Sequence, residues 1–74
     1  MKEKGEINFL DLDEDNEGYY EVEIWESGDC DGHFFRWKRD AIRFFDKNAK
    51  HPSDCVKFHE AYRFGGNCRL IKEF

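Results

Sequence analysis

Between Tyr19 and Glu26 the chain alternates so regularly that it constrains everything around it. Tyr20, Val22 and Ile24 point one way, and Tyr19, Glu21, Glu23 and Trp25 point the other. A period of two is that of a β-strand with one face in a core. A strand must hand its backbone hydrogen bonds to neighbours, so the segment requires a sheet around it. Weaker alternation supplies the neighbours. Ile7 and Phe9 mark a strand over roughly 6–12, Val56, Phe58 and Tyr62 another over roughly 54–63, and Cys68 and Leu70 a last one over roughly 68–73. Asp13 to Gly18 is rich in turn formers and should cap a hairpin between the first two strands, while Gly65-Gly66-Asn67 should turn the chain between the last two.

The period changes after residue 32. Phe34, Trp37, Ala41, Phe44 and Phe45 recur at spacings of three and four, which predicts a helix over roughly 32–49. Asp29 and Asp31, in the break Ser27–Gly32, are its candidate N-caps, and Asn48 or the His51-Pro52 step should end it. The expected order is β-β-α-β-β: one α+β domain over 1–74, an antiparallel sheet with a single amphipathic helix packed on one face.

Composition says how such a small unit can hold together. A chain of 74 residues buries only roughly 60% of the surface its unfolded form exposes, and eight Phe, three Tyr and two Trp supply the bulk its core needs. That aromatic content excludes a disordered chain, despite a charged fraction of 39%. The polar start contains no signal-peptide-like run, and no segment is apolar enough to cross a membrane. Three cysteines, an odd number, fit reduced thiols and a cytoplasmic setting.

Charge is unevenly spread. Residues 1–30 set Lys2 and Lys4 against eleven carboxylates, a balance of −9, whereas the whole chain carries −5. Such asymmetry bears on association rather than on fold. Asp11, Asp13, Glu14, Asp15 and Glu17 fall at the expected hairpin tip, with Glu21, Glu23 and Glu26 along the strand after it. Tyr19 and Trp25 lie among them on the sheet face away from the helix, as large rings that suit partner contact.

Chemical sites are harder to build. Cys30-x2-His33 and Cys55-x3-His59 offer two thiols and two imidazoles for a zinc ion, but a strand would hold Cys55 and His59 about 13 Å apart. Cys30 near a helix start would have an activated thiolate, yet one helix on one sheet leaves little room for a substrate cleft, so the chain reads as no enzyme. Asp11-x-Asp13-x-Asp15 opens like a calcium loop but has Asn16 where glycine is required and Val22 where a bidentate Glu is required. Arg36, Lys38, Arg39, Arg43 and Lys47 make the helix segment 36–47 a candidate nucleic-acid stripe, against which the net acidity works.

The reading that absorbs most of the sequence is a small acidic interaction domain without a cofactor. Its partner is a basic, nucleic-acid-binding protein surface such as that of a nuclease, blocked stoichiometrically by ordered carboxylates. In size, acidity and reduced cysteines the chain is similar in profile to phage-encoded inhibitors of host nucleases, the anti-CRISPR and anti-restriction proteins. A nucleic-acid-binding accessory protein using helix 36–47 is the first alternative, and a zinc domain through Cys30, His33, Cys55 and His59 the second. An exposed sheet edge or the Trp25 face would equally serve a homodimer.

Overall fold

The computed structural model of the chain describes residues 4–8, 18–60 and 67–74. They form one antiparallel sheet with a single helix against it: β1 (Glu6–Ile7), β2 (Tyr19–Glu26), β3 (Asp29–Phe35), α1 (Lys38–Asn48), β4 (Cys55–His59) and β5 (Cys68–Glu73). The strand order is β1-β3-β2-β4-β5, every neighbour antiparallel. This is the expected α+β class, with one strand more than the alternation showed.

The extra strand lies where a break and a helix start were expected. Glu26 pairs with Asp29, so only Ser27 and Gly28 make the turn, and both have positive φ, 53° and 85°. Two left-handed residues in succession produce the tight turn whose twist matches that of the strands it joins. Asp29 and Asp31 are therefore strand residues and cap nothing. The helix runs over 38–48 instead of 32–49, with Trp37 at its N-cap and no side-chain cap bond. Phe34 and Phe35 belong to β3, and the last turn ends when Ala49 turns extended, with Asn48 Nδ2 donating to the Phe44 carbonyl. The first strand also takes a different neighbour: Glu6 and Ile7 pair with Phe35 and Phe34 of β3, not with β2. Its expected continuation over 9–12 lies outside the described residues, as do the hairpin tip 13–17 and the end of the third strand, 61–63.

The core sits between the helix and one sheet face. Val22, Phe35, Ala41, Phe44, Phe45 and Val56 are buried together, with Tyr20, Ile24, Ile42 and Ile71 at their margin. Tyr20, Val22 and Ile24 thus face the helix as their alternation required. Gly18 opens β2 at φ 151°, where a Cβ would stand 2.6 Å from the His59 carbonyl, so the backbones approach as only glycine permits. Among the described residues no helix is long and apolar enough to cross a membrane.

A candidate protein-interaction surface

The sheet face away from the helix is not the open anionic ridge expected from sequence. Register brings Tyr19 opposite His59, Glu21 opposite Lys57, and Glu23 opposite Cys55 on β4. Tyr19 is only 6% exposed: its ring stacks on His59 at 4.6 Å and meets Phe34 edge-on at 5.9 Å. It cannot serve as an exposed anchor, because it already fills a small cluster with Ile7 and Phe34.

The two strand carboxylates are likewise engaged. His59 Nε2 and Glu21 Oε1 are 2.8 Å apart. Lys57 Nζ donates to Glu23 Oε2 at 3.0 Å, and the Cys55 thiol donates to Glu23 Oε1 at 3.4 Å. Half-buried pairs of this kind exist in place of a free negative surface. They also govern the cysteines. Burial, the bond to Glu23 and its charge push Cys55 up to about 11, and burial with Glu23 and Glu21 raises Cys30 as well. Cys30 stands on a strand beside carboxylates rather than at a helix N-terminus, so its thiolate is disfavoured and not activated. Cys68 Sγ lies 3.8 Å from His59 Nε2, but that nitrogen is turned to Glu21 and offers the thiol no lone pair to act as a base.

The proposed zinc ligands are divided by the sheet. Cys30, Cys55 and His59 share the face away from the helix with Trp25, Glu23 and Tyr19, their partners on β2. His33 pairs with Val22 and points to the other side, where it contacts the Phe44 ring and bonds Glu6 Oε2 at 2.9 Å. A strand residue cannot reach through the sheet, and no group of three potential ligands gathers among the described residues.

Unengaged acidity lies elsewhere, at the turn end of the β2–β3 hairpin. Glu26, Asp29 and Asp31 are exposed, and none makes an ion pair with a described residue. Glu26 pairs with Asp29 and Ile24 with Asp31, so all three carboxylates stand on the helix side of the hairpin beyond the C-terminal end of α1. Beside them opens a cleft of about 430 Å³, lined by Ile24, Trp25, Glu26, Asn48, Lys50 and His51. Trp25, half-buried, is one wall of that cleft.

One buried group holds this end of the molecule in place. Asp54 is fully buried and accepts three backbone N–H bonds, from Trp25 at 2.7 Å, Lys50 at 2.7 Å and His51 at 2.8 Å. β4 stops at Cys55, so Trp25 has no strand carbonyl opposite its amide, and the Asp54 carboxylate takes that place. Its own carbonyl accepts from Phe74. Burial raises this carboxyl, but the three amide donors outweigh it and hold the group below the usual aspartate range.

Sequence reasoning missed Asp29 and Asp31 as surface carboxylates. The available signal was Ser27-Gly28, a turn dipeptide following a clear strand, which allows a two-residue hairpin as readily as a helix start. Asp11, Asp13, Glu14, Asp15 and Glu17 lie outside the described residues, and so does the calcium-like spacing. Comparison with known protein families, with curated proteins and with solved structures finds no match to this chain.

Proposed function

We propose that the protein is a small acidic interaction domain that binds the basic, nucleic-acid-binding surface of a protein partner and blocks it stoichiometrically, in the manner of phage-type inhibitors of host nucleases. One observation supports this reading: Glu26, Asp29 and Asp31 are exposed at the two-residue turn of the β2–β3 hairpin and make no ion pair with a described residue, although the neighbouring strand carboxylates are neutralised. Asp29 and Asp31 are two strand residues apart, about 7 Å. Carboxylates at fixed spacing steer association and select a complementary Lys/Arg surface better than a flexible acidic tail. Three free thiols suit a cytoplasmic setting. The test is to capture the partner from the native host, then titrate its nucleic-acid binding with this protein. Full inhibition at a 1:1 ratio, weakened at least about tenfold by 200 mM salt and lost in Glu26→Lys/Asp29→Lys/Asp31→Lys, is expected. Inhibition unchanged by the triple reversal would remove the mechanism.

A specific feature also favours the nucleic-acid reading. Trp37 is 59% exposed at the start of α1, and Lys38, Arg39, Arg43 and Lys47 are exposed along it. An exposed indole beside cations is suited to stack on a base. Trp37→Asp separates function from fold, because aspartate is a strong N-cap where Trp37 makes no side-chain cap bond. Stability should rise by about 0.5–1 kcal/mol in urea melts, while any low-salt gel shift with single-stranded nucleic acid disappears. A shift that survives the substitution excludes this surface.

A further inference from the structure

We infer that the cleft between Trp25 and the segment 48–51 takes one arginine side chain of the partner. This rests on the acidic-interaction reading above and names the group that the surface selects.

The cleft exists because β4 begins late. Its first residue, Cys55, stands opposite Glu23, so Trp25 has no strand residue beside it there and gives its amide to the Asp54 carboxylate. The gap opens to both sheet faces. Ile24 and Glu26 line it from the helix side and Trp25 from the other, while Asn48, Lys50 and His51 bound it across from β2. Its volume of about 430 Å³ is that of a small-ligand site. Asp54 holds both walls: Oδ1 accepts the Trp25 amide, and Oδ2 accepts those of Lys50 and His51. The cleft is therefore preformed, and little order has to be gained on binding. The chain joining Ile7 to Gly18 is too short to close over it. A path from Ile7 past Glu26 and back to Gly18 measures about 45 Å, against at most about 40 Å for eleven extended residues.

Charge and shape specify the guest. Glu26 and Asp54 belong to the cleft, and Glu26 and Ser27 are shared with a hollow that also holds Asp29 and Asp31. None of these four carboxylates makes an ion pair with a described residue. α1 also ends here, at Asn48, with the negative end of its dipole. Against them stands the ammonium of Lys50. His51 accepts the Ser53 amide at Nδ1, so its ring carries no second proton in this arrangement. The balance favours a cation. Between cations it favours guanidinium over ammonium, because a planar, weakly hydrated guanidinium can lie on an indole and still fork its donors to a carboxylate. Arginine is also the cationic residue enriched among the buried anchors of interfaces.

The probe is N-acetyl-arginine methylamide, titrated at low salt and followed at the indole N–H of Trp25 by NMR, with the lysine and citrulline analogues as comparators. The Trp25 signal should shift saturably with arginine, and binding should be at least about fivefold weaker with lysine. Citrulline, which has the shape of arginine without its charge, should not bind. Glu26→Gln, and Trp25→Leu read at the amides of Lys50 and His51, should each weaken arginine binding at least about threefold. Lysine or citrulline binding as well as arginine, or arginine binding unchanged by both variants, overturns the inference. Should Trp25→Leu fail to fold, Glu26→Gln and the three analogues decide. An arginine analogue that leaves Trp25 unshifted overturns the cleft site but not the acidic reading, which stands or falls on the triple charge reversal in the inhibition assay. Conversely, an arginine-selective shift in a protein whose inhibition survives that reversal keeps the guanidinium site and removes the acidic reading.

Discussion

Asp54→Ala is expected to cost about 3–5 kcal/mol, enough to leave much of the protein unfolded at 37 °C. The reasoning is one of unmet donors. Trp25, Lys50 and His51 each give their amide to this one carboxylate, and each of these part-buried amides left without its acceptor costs on the order of 1 kcal/mol or more, up to about 3 for one sealed from water. A domain of this size has a total stability of roughly 4–11 kcal/mol, so a single side chain accounts for a large share. Asp54→Asn should cost less: its remaining oxygen can keep Lys50 and His51, while its NH2 is set against the Trp25 amide and frees β2 there. The pH dependence follows from the lowered carboxyl. A group more acidic when folded contributes stability fully above its unfolded pKa of about 3.9, and loses it as pH falls through the folded value. Wild-type protein should therefore show an acid limb below about pH 4 in urea melts that is much reduced in Asp54→Ala. Equal acid sensitivity in the two proteins would mean that other carboxylates control it.

The second large effect is a separation among the three thiols. Cys30 and Cys68 are exposed, whereas Cys55 is buried and held as the neutral thiol against Glu23. At pH 8 a thiol pushed up to about 11 has roughly a hundredfold less thiolate than an ordinary one. Burial adds the requirement that the sheet open first. Alkylation followed by mass spectrometry should thus stop at two labels in native protein, the third appearing only in denaturant. Two further consequences check the cause. Glu23→Gln removes the charge that holds the proton on Cys55, so its labelling should quicken. Stability should also fall as pH rises past about 8.5, because the unfolded chain releases this proton before the folded one does. Three labels at equal rates in native protein would show that the Glu23–Cys55 contact does not form.

Much of this was legible from pattern and some was not, for reasons that differ by element. The strand 19–26 has one face of Tyr20, Val22 and Ile24, a signal needing no partner to interpret, and it came out as β2 with the expected bounds. The strand 68–73 likewise emerged as β5. Asp29–Phe35 was misread because Asp29, Asp31 and Gly32 carry no apolar alternation, and because Phe34, Phe35 and Trp37 happen to continue the helical spacing of Ala41, Phe44 and Phe45. β3 is a strand because a two-residue turn delivers it to β2, a condition that lies outside its own side chains. Exposure was the second blind spot. Trp25 and Tyr19 looked equivalent on one face, yet Tyr19 is covered by Ile7, Phe34 and His59, while Trp37, assigned to the core stripe, is the exposed indole.

The acidity of the first third is written in the sequence, and so are the α+β class and the antiparallel sheet, since composition and hydrophobic period are properties of the chain taken locally. Which of those carboxylates remain available was decided only by tertiary structure. Among the described residues, strand register sets Glu21 beside His59 and Glu23 beside Lys57 and Cys55, while Glu26 and Asp29, with the adjacent Asp31, stand exposed at the hairpin end without an ion pair. Charge is additive along a sequence, but its neutralisation depends on which strands pair, and in what register.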